Sequence, residues 1–260
     1  MEPWQFLVAL IQGLVEWLPI SSSGQTILVL YNAAEVPIET AIHTAVWLHL
    51  GTAAAVIVRY RSDFISIITI ADRALVKHLI VATAATAVTG VPTYFLILNL
   101  VRNGEFLNLI VGLSLIITSQ VVRASEKQTT AETCNAVVSD RNALIAGLMQ
   151  GFSVIPGLSR SGVTIAKLLG QRVDKEHALK FSFLMSVPAV LGILVLEALI
   201  GAQSPIIVSV SDLFLMQIVV FLTGLASMEF LLRLARRVSM AVLCLTLGVI
   251  ALVIGLPGLF

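Results

Sequence analysis

The chain has 260 residues, of which 58% are hydrophobic and only 12% are charged. Soluble domains of this size carry about 25% charged residues, so a water-soluble fold is excluded and the solvent of this protein must be lipid. The net charge of +1 at pH 7 gives no reason to expect nucleic acid as a partner. The sequence has no motif for haem, flavin or nucleotide.

The first predicted element is a broken apolar stretch at residues 4–30. Gln12, Glu16 and Pro19 interrupt it, and the polar run Ser21-Ser22-Ser23-Gly24-Gln25 follows. Proline and glycine end helices, and unpaired backbone at membrane depth survives only inside protein or beside a water-filled cavity. The stretch therefore predicts a re-entrant helical hairpin, which enters the bilayer and returns.

Six further segments are long and apolar enough to cross a bilayer, which takes about 20 residues at about 1.5 Å of rise per residue. They are residues 41–58, 78–99, 106–122, 180–200, 212–232 and 239–257. Between the third and the fourth lies a second broken stretch, residues 143–170. It predicts another re-entrant hairpin, because it is interrupted by Gln150, Pro156-Gly157 and Ser159-Arg160-Ser161-Gly162.

The two broken stretches are copies of each other. A shift of 138 residues, without a gap, aligns Gln12, Gly13, Ser21, Ser23, Gly24 and Thr26 with Gln150, Gly151, Ser159, Ser161, Gly162 and Thr164. Each unit is then a hairpin plus three spans, and an odd number of spans inverts the second unit relative to the first. We therefore predict an all-α membrane protein with six transmembrane helices plus two re-entrant helical hairpins in an inverted-topology repeat. The first repeat covers residues 1–125, a polar linker 126–142, and the second repeat 143–260.

The distribution of basic residues predicts the orientation. This topology puts loops 59–77, 123–142, 171–178 and 233–238 on one side of the membrane. They contain Arg59, Arg61, Arg73, Lys77, Arg123, Lys127, Arg141, Arg172, Lys175, Arg233, Arg236 and Arg237, whereas the opposite loops contain only Arg102. The positive-inside rule makes the basic side cytoplasmic. Both termini are then outside, and the first hairpin enters from outside and the second from the cytoplasm.

Glu16 and Arg160 are the informative charges, since both lie in hairpins at predicted membrane depth. An unpaired charge there costs at least ~2.5–3.5 kcal/mol, so such residues usually line an interior site. Arginine suits phosphate oxygens, helix ends bind anions, and Glu16 could hold a divalent cation or act as a base. Hydroxyls that could bind phosphate, or attack it, are those of Ser21, Ser22, Ser23, Ser159, Ser161 and Thr164. The pattern favours a phosphate or diphosphate ligand.

Structural roles are the alternatives to this interpretation. Glu16 and Arg160 could form an ion pair that joins the repeats, and the serines could serve close packing. His43 and His49 are six residues apart and not on one helix face, so we predict interhelical hydrogen bonds for them instead of a ligand role. We predict helix-pairing roles for Glu197 and Glu229, and structural roles for Cys134 and Cys244.

Several motifs together resemble the undecaprenyl-diphosphate phosphatase family, which is linked to bacitracin resistance. PGLSRSGVT at 156–164 and FSFLMSVP at 181–188 carry the resemblance in the second half, and QGLVEWLPISSSG at 12–24 and HLGTAAAV at 49–56 in the first. The resemblance covers nearly the whole chain. It differs at Gln25, where the family usually has histidine.

The resemblance implies hydrolysis of a C55 polyprenyl diphosphate to the monophosphate on the outer side of the cytoplasmic membrane, which recycles the lipid carrier of cell-envelope glycan synthesis. By position it implies catalytic roles for Glu16, Ser22 and Arg160, and a divalent cation, Mg²⁺ or Ca²⁺, near Glu16 and Gln12. The implied substrate-binding residues are Gln12, Ser21, Ser23, Gln25, Ser159, Ser161 and Thr164.

Two other functions use the same predicted architecture. A transporter or flippase for polyprenyl phosphate would use the same pocket with alternating access instead of hydrolysis. A small-solute channel fits less well, because the pocket holds many phosphate-type donors. Membrane lipids are expected partners in each case, and a homodimer is left open by the sequence.

Overall fold

A computed structural model of the chain describes residues 1–101, 106–129, 137–200, 208–234 and 239–255. The regular secondary structure in these ranges is helical. Eleven helices are described: α1 Pro3–Val15, α2 Ser22–Asn32, α3 Ile38–Arg59, α4 Arg61–Ile68, α5 Arg73–Leu100, α6 Leu107–Thr129, α7 Asp140–Phe152, α8 Arg160–Gly170, α9 Lys175–Ile200, α10 Val210–Leu234 and α11 Met240–Gly255.

Both broken stretches are pairs of short helices. α1 and α7 have 13 residues each, and α2 and α8 have 11 each. At 1.5 Å of rise per residue, 13 residues extend about 20 Å, which is shorter than the roughly 30 Å hydrocarbon core. The helices are interrupted at residues 16–21 and 153–159, which contain the Pro, Gly and Ser residues that predicted the two breaks.

Five helices are long and apolar enough to span a membrane, which makes this a multi-pass membrane protein. Their apolar parts are Ile38–Arg59, Arg73–Leu100, Leu107–Ser125, Lys175–Leu199 and Val210–Phe230. The sixth predicted span, residues 239–257, corresponds to α11, whose 16 described residues are fewer than a span needs. Residues 256 and 257 lie outside the described part of the chain.

The structure changes the predicted loops in two places. The loop at 59–77 contains α4, which has no buried residue and whose Ile65 and Ile68 are 61% and 79% exposed. The third span continues to Thr129, so α6 takes up the start of the predicted linker. Four residues of the predicted loops and linker lie outside the described ranges: Arg102, Cys134, Arg236 and Arg237.

Glycines that are equivalent in the two predicted repeats make equivalent helix contacts. α1 of the first repeat packs on α10 of the second, and α7 of the second packs on α5 of the first. A Cβ at Gly13 would overlap Thr223 on α10, and a Cβ at Gly151 would overlap Thr89 on α5. Both hairpins therefore pack at backbone distance against a long helix of the other repeat.

The helices α6 and α11 also pack closely, through one glycine on each. A Cβ at Gly112 would lie 2.9 Å from the carbonyl oxygen of Gly248, and a Cβ at Gly248 would lie 2.9 Å from that of Gly112. Each helix also supports a break: Thr118 on α6 donates to Gly157, and Cys244 on α11 donates its thiol to the carbonyl of Pro19 at 2.7 Å. The prediction of a structural role for Cys244 is thereby confirmed.

The two breaks lie against each other at the centre of this arrangement. A Cβ at Gly24 would be 2.9 Å from the amide nitrogen of Gly157, and a Cβ at Gly162 would be 3.2 Å from Pro19. Gly157 itself has φ +93°, a left-handed conformation that favours glycine. Side chains at these glycines would separate the breaks, so the glycines bring the two polar runs into one place.

Candidate functional site

The helices α2 and α8 begin with the same cap. Ser21 Oγ accepts a hydrogen bond from the Gly24 amide at 3.3 Å, and Ser159 Oγ accepts one from the Gly162 amide at 3.2 Å. A serine at this position satisfies an amide that the first helical turn would leave unpaired. The remaining amides at the two helix ends provide partial positive charge, which attracts anions.

Ser21 has a strained backbone. It lies at φ 60° and ψ 85° although it is not glycine. A left-handed conformation costs an ordinary residue about 1–2 kcal/mol. Such strain concentrates at functional sites, where the surroundings hold the backbone in place. Here the conformation turns the chain directly into Ser22, whose hydroxyl points to Glu16.

Glu16 is the buried acceptor of the site, with 5% of its surface exposed. Its Oε2 accepts hydrogen bonds from Gln12 Nε2 at 2.8 Å and from Ser22 Oγ at 2.5 Å. Its Oε1 is paired with the guanidinium of Arg160. A buried charge is tolerated when it is paired and hydrogen-bonded, and the carboxylate has both kinds of partner.

Arg160 is the first residue of α8 and joins the hairpins through Glu16. Its side chain is 16% exposed and lines a cavity. A guanidinium carries five N–H donors, so the contact with one carboxylate oxygen leaves donor capacity for phosphate oxygens. The ion pair between the repeats is thus compatible with an anion-binding role for the same side chain.

The cavity has a volume of about 370 Å³ and two unlike ends. Its polar end is lined by Glu16, Ser21, Ser22, Ser23, His49, Gln150, Ser153, Ser159, Arg160 and Ser161. Its other end lies between α5 and α9, where apolar residues such as Val91, Ile193 and Leu196 form most of the wall and α5 adds the hydroxyls of Thr83, Thr86 and Tyr94. The cavity therefore joins a polar, charged pocket to an apolar channel.

Three of the predicted site residues are not among those that line the cavity. Gln12 is fully buried and supports Glu16, with its oxygen accepting from Thr26 at 3.4 Å. Thr164 donates to the Arg160 carbonyl at 2.8 Å and is 2.6 Å from the Ser182 hydroxyl. Gln25 donates to the Ile20 carbonyl at 3.4 Å. These three side chains hold the loops and the lining residues in position.

His49 is the site residue that sequence reasoning missed. Its Nε2 lies 3.5 Å from Glu16 Oε2, and its Nδ1 is 2.7 Å from the carbonyl oxygen of Ala45 in its own helix. Spacing along α3 gave no sign of this, because Glu16 is 33 residues away in the sequence. The one indication in the sequence was the motif HLGTAAAV, which begins at His49 and is part of the family resemblance.

The other predicted polar contacts between helices are confirmed. His43 on α3 and Tyr94 on α5 both bond Glu197 Oε1 of α9, at 3.1 and 3.0 Å. Glu229 on α10 pairs with Arg59 on α3. His43 is therefore an interhelical hydrogen bonder, as predicted. The same prediction was wrong for His49, which bonds Ala45 of its own helix and turns Nε2 to the polar pocket.

The pocket offers few oxygen ligands for a divalent cation. Nowhere in the part of the chain that the structure describes do three His, Cys, Asp or Glu side chains lie close enough to hold a metal ion. Mg²⁺ is commonly held by one or two carboxylates together with substrate phosphates. Glu16 fits that arrangement. Gln12 fits less well, because its Nε2 donates to Glu16 and its oxygen accepts from Thr26.

Comparison with known proteins extends over nearly the whole chain. The family model described as "Bacitracin resistance protein BacA" matches residues 5–253. A protein of Methanothrix thermoacetophila is 38% identical over 253 residues, 97% of this chain and 96% of its own. Proteins of Methanopyrus kandleri and Methanococcoides burtonii are 38% and 33% identical, and the matches cover 99% and 94% of this chain and 98% and 95% of theirs.

All three relatives are named undecaprenyl-diphosphatase, which describes a phosphatase and not a transporter. The full-length family match agrees with the motifs around the two serine-rich breaks. The chain therefore belongs to the bacitracin resistance protein BacA family.

Proposed function

We propose that this protein hydrolyses a polyprenyl diphosphate of the undecaprenyl type to the monophosphate, and so recycles the lipid carrier of cell-envelope glycan synthesis. The observation that carries the proposal is the two-ended cavity, whose charged pocket continues into an apolar channel. An amphipathic diphosphate lipid matches both ends. The family match and the names of the relatives support the same activity.

The diphosphate lies in the polar end. Arg160 and the amides at the starts of α2 and α8 bind its oxygens, and the hydroxyls of the lining serines donate further hydrogen bonds. Gln12 and Thr164 do not contact the substrate. Gln12 holds the Glu16 carboxylate in position, and Thr164 holds the first turn of α8. Gln25 fixes the first break through Ile20.

Ser22 is the nucleophile. Its Oγ–H points to Glu16 Oε2 at 2.5 Å, within reach for proton transfer to a general base. Oγ attacks the terminal phosphorus while its proton passes to Glu16. The bond from that phosphorus to the bridging oxygen breaks, and the electron pair leaves with the lipid monophosphate. Water then attacks the phosphorus of the phosphoserine and gives up a proton to the solvent. The bond from phosphorus to Oγ breaks, Glu16 returns its proton to Ser22 Oγ, and inorganic phosphate leaves.

Arg160 stabilises the charge that develops on the transferring oxygens, as arginines do in other phosphoryl transfers. A divalent cation, Mg²⁺ or Ca²⁺, would be held by the Glu16 carboxylate together with diphosphate oxygens, with Gln12 behind Glu16. When bound, it supplies further neutralisation of phosphate charge.

The apolar end holds the start of the polyprenyl tail. The channel runs along α9 from Pro188 to Leu199 and along α5 from Thr83 to Tyr94. Val195 and Leu199 on its wall are 57% and 79% exposed, so the channel reaches the apolar outer surface of the protein. A tail can leave there into lipid without crossing a polar region.

The arrangement of the helices in the membrane is also part of the proposal. Six spans and two re-entrant hairpins form an inverted repeat, with the sixth span formed by α11 and the residues after it. The reciprocal contact of Gly112 and Gly248 supports this symmetry. The basic loops lie in the cytoplasm and both termini outside. The channel ends near Tyr94 and Leu199, so the site opens to the extracytoplasmic side of the cytoplasmic membrane. A homodimer stays a prediction.

The test is release of phosphate from undecaprenyl diphosphate by the protein purified in detergent, with and without Mg²⁺ or Ca²⁺. We expect cation-dependent release and a loss of about 10³–10⁵-fold in Arg160→Ala, the range for removal of an arginine from a phosphoryl-transfer site. The folded state of that variant is checked by thermal unfolding. Lipid binding by the wild-type protein without any phosphate release would refute hydrolysis and favour the transporter.

A further inference from the structure

We propose that His49 Nε2 is a ligand of the divalent cation, so that the protein contributes an imidazole as well as the Glu16 carboxylate. This inference rests on the proposed function, because the diphosphate supplies the other ligands. It is carried by the orientation of the imidazole ring, by its distance from Glu16 and by its place in the cavity wall.

The orientation of the ring follows from its second nitrogen. Nδ1 lies 2.7 Å from the carbonyl oxygen of Ala45. A carbonyl only accepts hydrogen bonds, so Nδ1 carries the hydrogen and Nε2 of the neutral ring carries a lone pair. Histidines that bind metals nearly always donate their other N–H to a carbonyl or a carboxylate in this way. The contact with Ala45 therefore prepares Nε2 as a ligand.

The distance fits two ligands of one ion. His49 Nε2 and Glu16 Oε2 are 3.5 Å apart, which is longer than an ordinary hydrogen bond. Ligands lie about 2.1 Å from Mg²⁺ and about 2.4 Å from Ca²⁺, so neighbouring ligands of a six-coordinate ion are about 3.0 Å and about 3.4 Å apart, and a small approach of the two atoms would suffice. Without an ion, the lone pair of Nε2 of the neutral ring faces a carboxylate oxygen, which is an acceptor as well. A cation between the two atoms would give Nε2 a partner and would add a third partner to Oε2, which already accepts from Gln12 and Ser22.

The surroundings leave the space for the ion on the cavity side. Glu16, His49 and Ser22 all line the cavity, and the His49 side chain is 18% exposed. Gln12 approaches Glu16 from the buried side and is fully enclosed by protein. Arg160 occupies the other carboxylate oxygen. An ion near Oε2 is therefore next to the Ser22 hydroxyl and to any phosphate held by Arg160.

A nitrogen ligand alters which ions the site prefers. Carboxylate and phosphate oxygens suit Mg²⁺, Ca²⁺ and Mn²⁺, whereas imidazole strengthens the binding of transition ions. We therefore expect the protein to bind Mn²⁺ more tightly than Ca²⁺ when a diphosphate is present. The preference should depend on His49 and not on Gln12.

The experiment uses Mn²⁺ as the probe and methylenediphosphonate as a diphosphate that is not hydrolysed. Free Mn²⁺ is measured by electron paramagnetic resonance during titration of the detergent-purified protein. In His49→Gln we expect at least about tenfold weaker Mn²⁺ binding, the lower end of what loss of a supporting metal contact costs. The matched control is His43→Gln, which removes an imidazole from the same helix outside the cavity lining and should bind Mn²⁺ like the wild type.

A second measurement needs no variant. Pulsed electron paramagnetic resonance of the wild-type Mn²⁺ complex should show coupling to a ¹⁴N nucleus of imidazole. Equal Mn²⁺ affinity in His49→Gln and wild type, or no nitrogen coupling in the wild type, would overturn the assignment. Phosphate release by the same preparation keeps the two proposals apart, since a hydrolysing protein without nitrogen coupling refutes only the role of His49.

Discussion

Ser22 in the first hairpin and Arg160 in the second occupy equivalent positions at the shift of 138 residues, each directly after a capping serine. The caps, Ser21 and Ser159, hold the amides of Gly24 and Gly162 at nearly equal distances. The same backbone thus presents a hydroxyl in one repeat and a guanidinium in the other. The comparison teaches that the duplicated part of the hairpin is the frame, and that the chemistry lies where the copies differ.

Glu16 is a second position at which the two hairpins differ beside a residue that they share. Its equivalent in the second hairpin is Val154, whereas the supporting glutamines Gln12 and Gln150 are identical. Gln12 donates to Glu16, but Gln150 donates to Thr86 Oγ1 at 3.1 Å and to the Met185 carbonyl at 3.3 Å. In the proposed mechanism, one hairpin supplies the base and the nucleophile, and the other supplies the guanidinium that binds the anionic substrate.

The largest loss of activity should come from replacing Ser22, which differs between the hairpins, and a much smaller loss from replacing Ser23, which is the same in both. Ser22→Ala removes the proposed nucleophile, and we expect kcat to fall by at least about 10³-fold. Ser23→Ala removes a hydroxyl whose equivalent, Ser161, exists in the other hairpin, and kcat should fall by no more than about tenfold. Phosphate release under saturating substrate measures both. More than a tenth of wild-type kcat in Ser22→Ala would mean that water attacks directly.

The shared frame can be tested by stability. Gly13→Ala and Gly151→Ala each put a methyl group into a backbone contact with the other repeat, and we expect each to lose about 1–3 kcal/mol. Thermal unfolding in detergent measures the loss.

Gly192→Ala is the control, because nothing lies within 4 Å of its added Cβ. Alanine is the better helix former, so this variant should unfold at an unchanged or higher temperature. A large loss in only one of Gly13→Ala and Gly151→Ala would show that the two hairpins are not packed equivalently.

A smaller effect is expected at the position where the sequence departs from its family. The side chain of Gln25 bonds the Ile20 carbonyl and is not among the cavity lining. Gln25→His should therefore change kcat/KM by less than about threefold, which corresponds to less than about 0.7 kcal/mol. A rise of tenfold or more in phosphate release would mean that a side chain at this position does reach the substrate.

The smallest effect is expected at the exposed start of the second hairpin. Hydrogen bonding and charge from Lys77, with a further contribution from His78, hold the pKa of Asp140 below its usual value of 3.8. Its contribution to stability is present above that value and is lost as the pH falls through the lowered pKa. Asp140→Asn should leave phosphate release unchanged and lower the unfolding temperature slightly at pH 7. At a pH below the lowered pKa, the variant and the wild type should unfold alike.

The hairpins could be predicted because their signals are local. Pro19, Pro156, Gly157 and the serine runs interrupt apolar stretches, and capping acts within three residues. Contacts between distant segments could not be predicted in the same way. The approach of His49 to Glu16 depends on how α3 packs beside α1, and the orientation of Gln25 depends on a nearby carbonyl that a sequence pattern does not reveal. The helix α4 was missed because its charged residues suggested only a polar loop.

The reciprocal contact of Gly112 and Gly248 has a consequence for motion. The two backbones touch directly, with the side chains of Leu252 and Ile116 packed beside the glycines, so sliding one helix past the other would push side chains into backbone. Displacing α6 from α11 would separate two closely packed helices and leave a gap between them. This favours a fixed contact between α6 and α11. We therefore expect the lipid to enter and leave along the membrane plane, without movement of the two halves of the protein relative to each other.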